Sequence, residues 1–322
     1  MTARLKIFLT AFVLSLPFWW GINLLEKNLS DFFYFQEISK NPQIFAAQIN
    51  LQEHIKNLRP LRDKNVPDLE IIAKSGLSVL IKNDDEEKIL FEKDSDQKLP
   101  IASLSKLMTA LVVLDNYDLS KEIKISKEAV AQEEDFGKLE VGRVYAVNYL
   151  LYPLLMESSN DAAFSLANDY DGMTFEKFVE LMNSTAQKLG LNNTSFVNPS
   201  GLDPEENEPQ TRINYSTVRD LAELTKELLK KPLIWEILSI PKYNFYGPEL
   251  TNTNELLGEI PGIVGGKTGY TDTAGGCMVL ATKAPEDRGF LVNVILGSDG
   301  GNGRFGEMKK LVNWLNTAYK WQ

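Results

Sequence analysis

Two residues three positions apart, Ser103 and Lys106, have side chains suited to nucleophilic catalysis. Apolar residues follow them at helical spacing, which predicts that both side chains lie on one face of a helix. A serine hydroxyl becomes a good nucleophile when a base within hydrogen-bond reach takes its proton. A lysine can act as that base once desolvation or nearby positive charge lowers its pKa. The pair alone also fits a capped helix with an exposed lysine, so other segments are needed to distinguish a catalytic pair from a helix cap.

Two later segments carry groups that a serine–lysine pair would need. Ser158 and Asn160 end an apolar helical run, and Lys267-Thr268-Gly269 leads into a segment with strand character. A positive charge, a hydroxyl and the backbone donors of a strand edge can bind a carboxylate and stabilise an oxyanion. Each segment alone also suits a helix cap or a bend before a strand. All three in this order favour a catalytic site.

The composition of the chain limits the chemistry that is available. The 322 residues carry a net charge of −10, with one histidine and one cysteine. The negative charge argues against non-specific nucleic-acid binding. The single histidine, His54, argues against a Ser-His-Asp triad or a histidine metal site, so lysine is the expected base. Cys277 cannot form an intrachain disulfide, and we interpret it as a small core residue.

The N-terminal residues predict a membrane anchor. Arg4 and Lys6 precede the uncharged residues 7–25, which include Trp19 and Trp20. This length suits a membrane-spanning helix or a long signal-peptide core, and no Ala-x-Ala-like cleavage site follows it. The positive-inside rule leaves the N-terminus in the cytoplasm and the remaining chain outside. We expect a single-pass protein of the bacterial cytoplasmic membrane with an extracytoplasmic catalytic domain, or a secreted protein if the segment is cleaved.

The composition and the apolar periodicity together predict three regions, an anchor at residues 1–27, a tether at 28–67 and a catalytic domain at 68–322. Short β-rich runs occur near both ends of the third region, at 77–81, 89–91, 276–283 and 290–297. Residues 120–230 have mostly helical patterns, and 305–319 predict a last helix. We therefore expect an α+β domain whose antiparallel sheet is built from both chain ends around a helical insert.

The three segments resemble those of the D-alanyl-D-alanine carboxypeptidases, the low-molecular-mass penicillin-binding proteins among the serine peptidases. The same three motifs occur in class A β-lactamases. The resemblance covers about residues 70–320 and extends to further matches at Asp161-Ala162-Ala163, Asn198-Pro199, Gly201-Leu202-Asp203, Asn252-Thr253-Asn254 and Arg304-Phe305. It implies a penicillin-binding-protein/β-lactamase-like fold.

The resemblance also implies catalytic roles for the matched residues. Ser103 would be the acylated nucleophile and Lys106 its base. Ser158 would relay a proton to the leaving D-alanine, and Asn160 would hold Lys106 and the substrate. The implied reaction is a two-step acyl transfer that uses no metal and no cofactor.

Substrate binding is implied for the Lys267-Thr268-Gly269-Tyr270 stretch. Lys267 and Thr268 would bind the terminal carboxylate, and the charge of Lys267 would help to keep the base unprotonated. The backbone N–H groups of Ser103 and Tyr270 would form an oxyanion hole. The expected substrates are peptidoglycan stem peptides, with β-lactam antibiotics as inhibitors.

Three other functions remain open at this point. An endopeptidase that cuts D-Ala-containing crosslinks would use the same motifs. A class A β-lactamase needs a glutamate between the second and third motifs, where Glu205, Glu206 and Glu208 lie in surroundings that match the carboxypeptidases. A non-catalytic penicillin-binding sensor would be acylated slowly without turnover.

Two positions depart from the usual pattern of the resembling family. Ser159 stands where these carboxypeptidases usually have glycine. Asn214-Tyr215 stands before Ser216-Thr217, where a histidine often precedes the Ser-Thr pair. Both changes bear on substrate preference more than on the mechanism.

Overall fold

The computed structural model describes residue 43 and residues 60–321, apart from 84–85, 134–137, 205–212 and 245–248. The predicted anchor at residues 7–25 and His54 lie outside the described residues. Within the described part of the chain, no helix has the length and apolar character needed to cross a membrane.

In the described residues the long strands lie near both ends of the folded region, with helices and short strands between them. The strands, in chain order, are β1 (Pro60–Arg62), β2 (Ser75–Lys82), β3 (Glu87–Lys93), β4 (Leu99–Pro100), β5 (Glu122–Lys124), β6 (Val144–Ala146), β7 (Tyr215–Ser216), β8 (Lys242–Tyr243), β9 (Leu250–Thr251), β10 (Ile263–Thr271), β11 (Gly275–Lys283), β12 (Gly289–Ser298) and β13 (Tyr319–Trp321). The helices are α1 (Ser105–Asn116), α2 (Lys127–Val130), α3 (Val147–Tyr152), α4 (Asn160–Asn168), α5 (Phe175–Lys188), α6 (Val218–Leu229), α7 (Pro232–Ser239) and α8 (Gly300–Ala318).

The main sheet has five antiparallel strands in the order β10-β11-β12-β2-β3. Its strands come from the N-terminal and C-terminal parts of the folded region, so the expected α+β arrangement around a helical insert is confirmed. Successive residues of a strand face opposite sides of a sheet. Val79 accordingly packs in the core shared with the helical insert, whereas Leu80 packs with Met308 and Leu311 of α8.

Helix α1 lies at the centre of the helical layer. Residues 105–113 of α1 are all buried, including the polar Ser105, Lys106 and Thr109. A helix that is apolar on nearly every face is stable only when other elements surround it, and α1 contacts α4, α5 and α6. The core thus holds the polar residues of α1 rigidly in place.

Two element boundaries differ from the sequence-based predictions. The last helix begins at Gly300 rather than at residue 305. Residues 60–62, which we assigned to the tether, form β1 and pair antiparallel with β13 at the other end of the folded region. The guanidinium of Arg62 lies 4.9 Å from the ring centroid of Trp314, which adds a contact between the two ends. The compact unit that holds the main sheet therefore includes β1, because pairing with β13 joins this short strand to it.

Cys277 lies in β11 and is fully buried, as predicted for a small core residue. Burial raises the pKa of its thiol to about 11, so the thiol stays protonated at neutral pH.

Candidate active site

The predicted nucleophile lies in a tight turn rather than in the helix itself. Ser103 belongs to a 3₁₀ turn, Ala102–Leu104, and α1 begins two residues later. Ala102 has a φ of 46°, in the left-handed region that non-glycine residues rarely adopt. The backbone is therefore strained directly before Ser103, a feature that is common at functional sites.

The predicted base lies beside the nucleophile, as the three-residue spacing suggested. Lys106 Nζ is 3.0 Å from Ser103 Oγ. Nζ also donates hydrogen bonds to Asn160 Oδ1 and to the backbone carbonyl of Ser200, both at 2.7 Å. The Lys106 side chain is completely buried. Neutral amide and carbonyl oxygens solvate the amine there in place of water.

The backbone at the second segment, around Ser158, has an unusual conformation. A π-helical turn, Pro153–Glu157, precedes Ser158, whose φ of 65° is left-handed. Ser159 then caps α4, because its hydroxyl accepts a hydrogen bond from the N–H of Ala162 at 3.1 Å. This cap gives a structural reason for serine where glycine is usual.

The third segment places a second buried lysine beside Ser158. Lys267 Nζ donates to Ser158 Oγ and to the carbonyl of Thr268, both at 2.9 Å. Burial, followed by the positive charges of Lys106 and Arg304, holds the pKa of Lys267 well below its usual range. Two ammonium groups in one buried site repel each other, so the arrangement favours a neutral amine at one of them.

Strand β10, at the edge of the sheet, passes very close to the nucleophile turn. A Cβ on Gly269 would lie 3.1 Å from the backbone nitrogen of Ser103 and 3.2 Å from the carbonyl oxygen of Ile101. Glycine permits this approach, which brings the backbone of Tyr270 beside the turn. The Tyr270 side chain is 41% exposed, and its hydroxyl donates to Asp272 at 2.9 Å.

A cavity of about 420 Å³ joins the three segments. The predicted residues that line it are Ser103, Ser158, Asn160, Thr268, Gly269 and Tyr270. Lys106 and Lys267 lie buried behind this lining and contact it through Ser103, Asn160 and Ser158. A larger cavity of about 670 Å³ adjoins the far side of Asn160 and is lined partly by Phe164 and Phe175.

Four further residues line the active-site cavity, although the sequence alone predicts no role for them. They are Glu157, Thr253, Gly301 and Arg304. Thr253 Oγ1 lies 2.6 Å from Thr268 Oγ1, so the two hydroxyls share a hydrogen bond. Arg304 donates to the carbonyl of Gly269 at 3.3 Å, and burial lowers the pKa of its guanidinium. Thr253 and Arg304 were visible as parts of the resemblance, but their contact with the site depends on folding.

Comparison with known proteins identifies the family of this chain. The family model for D-alanyl-D-alanine carboxypeptidase matches residues 63–300. The D-alanyl-D-alanine carboxypeptidase DacF of Bacillus subtilis is 33% identical over 263 residues, which cover 78% of this chain but only 64% of the Bacillus protein. A D-alanyl-D-alanine endopeptidase of Pseudomonas aeruginosa is 34% identical over 250 residues, which cover 75% of this chain and 77% of that protein.

Solved structures show the same fold. A putative penicillin-binding protein homologue from Mycobacterium tuberculosis superimposes with a TM-score of 0.71 at 28% identity, over 80% of this chain and 95% of that one. Penicillin-binding protein D2 of Listeria monocytogenes, solved in a cefotaxime-bound form, superimposes with a TM-score of 0.66 at 30% identity. The superposition covers 78% of this chain and 99% of that one. The penicillin-binding-protein/β-lactamase-like α+β fold is thereby confirmed. With its family model matched over most of the folded region, this chain belongs to the D-alanyl-D-alanine carboxypeptidase family of serine peptidases.

Proposed function

We propose that this chain is a serine D-Ala-D-Ala carboxypeptidase that removes the terminal D-alanine from peptidoglycan stem peptides through an acyl-enzyme on Ser103. The observation that carries the proposal is the 3.0 Å distance between Lys106 Nζ and Ser103 Oγ in a buried setting. A neutral lysine has two N–H groups, which suit Asn160 Oδ1 and the Ser200 carbonyl, and one lone pair that can face the serine.

Acylation would proceed by attack of Ser103 Oγ on the carbonyl carbon of the penultimate D-alanine. The hydroxyl proton passes to the neutral amine of Lys106 as the new C–O bond forms. The carbonyl oxygen becomes an oxyanion, which the backbone N–H groups of Ser103 and Tyr270 would stabilise. Loss of one such donor typically slows a reaction by about 10²–10³-fold.

Collapse of the tetrahedral intermediate would break the peptide C–N bond. The leaving nitrogen of D-alanine takes, by way of the Ser158 hydroxyl, the proton that Lys106 accepted from Ser103, which leaves Lys106 neutral again. Ser158 Oγ itself lies 2.9 Å from Lys267 Nζ. Water then attacks the ester carbonyl with Lys106 again as the base. This step releases the shortened peptide as an acid and restores the hydroxyl of Ser103.

The terminal carboxylate would bind on the strand side of the cavity. Thr268 lines that side, Lys267 lies behind it, and Arg304 adds a second positive charge to the same lining. Charge-assisted hydrogen bonds to a carboxylate are roughly twice as strong as neutral ones. These groups would therefore select peptides with a free C-terminus.

A crosslink endopeptidase is the second candidate function, because the Pseudomonas relative is named as one and covers three quarters of this chain at 34% identity. The motifs needed for the two activities are the same. A β-lactam would acylate Ser103 by the same attack, and the antibiotic-bound Listeria structures support that expectation. A β-lactamase or a sensor would differ in how fast the acyl-enzyme is hydrolysed.

We also propose that residues 7–25 anchor the protein in the bacterial cytoplasmic membrane, with the catalytic domain outside. Peptidoglycan lies on that side of the membrane, so the proposed substrate and the proposed topology agree. The order of anchor, tether and catalytic domain rests on the sequence pattern alone.

Labelling with fluorescent penicillin tests the nucleophile. The protein is used as residues 60–322 or as the full chain, and each form is compared with its Ser103→Ala variant. Release of D-alanine from a diacyl-D-Ala-D-Ala peptide then tests turnover. We expect labelling that disappears in the variant, together with D-alanine release. A folded wild-type protein that takes no label would overturn the serine–lysine mechanism, and a stable label without D-alanine release would favour the sensor.

A further inference from the structure

A buried asparagine, Asn214, contacts both the nucleophile turn and the loop that holds the base. Asn214 is 2% exposed and directly precedes β7. Its backbone carbonyl accepts a hydrogen bond from the N–H of Ile101 at 3.2 Å, which ties it to the segment leading to Ser103. In the resembling family a histidine often precedes the Ser-Thr pair of this segment.

The first contact of the Asn214 side chain supports the strained turn. Asn214 Nδ2 donates to Ser105 Oγ at 2.8 Å, and Ser105 Oγ donates to the carbonyl oxygen of Ala102 at 2.8 Å. Gly201 packs so closely on that carbonyl that a Cβ there would lie 1.9 Å from the oxygen. The left-handed backbone of Ala102 is thus held by a directed hydrogen bond and by close packing, and Ser103 follows it directly.

The second contact supports the loop of residues 197–201. Asn214 Oδ1 accepts hydrogen bonds from the N–H groups of Val197 at 2.7 Å and Asn198 at 3.2 Å, and Nδ2 donates to the carbonyl of Asn198 at 2.8 Å. Two residues further on, the Ser200 carbonyl accepts the hydrogen bond from Lys106 Nζ. One amide therefore connects the turn that carries the nucleophile with the loop that holds the base.

All the hydrogen-bonding capacity of the Asn214 amide is used by these contacts. The NH₂ group has two donors, for Ser105 Oγ and the Asn198 carbonyl, and the oxygen has two acceptor sites for two backbone N–H groups. A neutral imidazole offers one donor and one acceptor, so a histidine could not make the same set of bonds.

We propose that Asn214 is a positioning residue for acyl transfer, and that through Ser105 it sets the geometry between Ser103 Oγ and Lys106 Nζ. The proposal rests on the proposed function, because it concerns the same reaction at Ser103. Misplacement of reacting atoms by about 1 Å can slow a reaction by about 10²-fold. We expect the change in the rate constant of the chemical step and not in substrate binding, because Asn214 does not line the active-site cavity.

The test compares acylation by fluorescent penicillin in four variants. Asn214→Ala removes the whole amide, and Asn214→Asp keeps its size and acceptors but removes both donors. Ser105→Ala breaks only the contact with the turn, whereas Ser105→Thr keeps the hydroxyl. Time courses over a range of penicillin concentrations separate the acylation rate constant at saturation from the half-saturating concentration.

We expect the first three variants to lower the saturating rate constant by about 10–10²-fold and to leave the half-saturating concentration within about threefold. Ser105→Thr should recover most of the wild-type rate constant. Thermal unfolding of each variant, with assays well below every midpoint, ensures that folded protein is compared.

Asn183→Ala is the matched control. Asn183 of α5 holds the residue that precedes the 197–201 loop. Its amide donates to the Phe196 carbonyl at 2.8 Å and accepts from the Phe196 N–H at 2.9 Å. It makes no hydrogen bond to Ser105. It should lower the unfolding temperature while acylation stays fast. Equal slowing in Asn183→Ala, or wild-type rate constants in folded Asn214→Asp and Ser105→Ala, would overturn the proposal. Absence of labelling in the wild-type protein would instead overturn the proposed function.

Discussion

The two lysines of the site belong to different elements, a helix and a strand, and lie in contrasting surroundings. Lys106 lies on a buried helix, and its amine contacts Ser103, Asn160 and the Ser200 carbonyl, which come from three separate segments. Lys267 lies on the edge strand β10, and its amine contacts Ser158 and the carbonyl of the next residue. We infer that the helix side fixes the reacting atoms, whereas the strand side supplies charge for the substrate. This difference between two buried lysines makes distinct predictions for each.

The largest expected effect comes from removing the base on the helix side. Lys106→Met should lower the rate constant for acylation by penicillin by about 10²–10⁴-fold, which is the typical contribution of a general base. Lys106→Arg replaces the neutral amine with a guanidinium that stays protonated and cannot take a proton near neutral pH, so it should be comparably slow. The time course of labelling with fluorescent penicillin measures the acylation rate constant of both variants. A fast Lys106→Arg variant would contradict the assignment of Lys106 as the base.

The strand side should respond to the charge of the substrate instead. For Lys267→Met we expect kcat/KM on a diacyl-D-Ala-D-Ala acid to fall by about 10–10²-fold, the size of a lost hydrogen bond to a charged group. The C-terminal amide of the same peptide has no carboxylate to bind, so its kcat/KM should change much less. Equal losses on acid and amide would mean that Lys267 acts on the chemical step and not on recognition.

The sequence predicted the helix side better than the strand side, for a physical reason. Ser103 and Lys106 are one helical turn apart, so local geometry alone brings them together. The contact between Ser158 and Lys267 requires β10 and the π-helical turn to meet, which only the family resemblance suggested. The Ser200 carbonyl, Thr253 and Arg304 gave no local signal, because a backbone oxygen or a loop residue acquires its role through tertiary packing. The pairing of β1 with β13 was missed for the same reason.

The pH dependence should separate the charge on the strand side from the stability of the fold. The pKa of Lys267 is lowered by burial and then by the charges of Lys106 and Arg304, so the folded protein releases this proton at a lower pH than the unfolded chain. Between the two pKa values the unfolded chain binds more protons, and the free energy of unfolding therefore rises with pH. In the same window Lys267 loses its charge, and kcat/KM on the carboxylate substrate should fall.

Thermal unfolding and kinetics at pH values below the usual lysine pKa of about 10.4 check these opposite trends. Lys267→Met should show a flatter dependence of the unfolding temperature on pH. Its kcat/KM should also lack the decline that the wild-type protein shows with rising pH on the acid substrate. Parallel trends of stability and activity in the wild type would show that a group other than Lys267 controls this pH range.

The smallest expected effect concerns Ser159, which lies in the chain between the cavity-lining residues Ser158 and Asn160. Its hydroxyl caps α4, the helix that begins with Asn160 and so aims that amide at Lys106. Ser159→Ala should lower the free energy of unfolding by about 1 kcal/mol, whereas Ser159→Gly should lower it by only a few tenths, since glycine is itself tolerated at this position of a helix. Urea unfolding of both variants measures the difference. If the cap acts only on stability, acylation of both folded variants stays near the wild-type rate. Slow acylation by a fully folded Ser159→Ala variant would show that the cap also orients Asn160 toward the base.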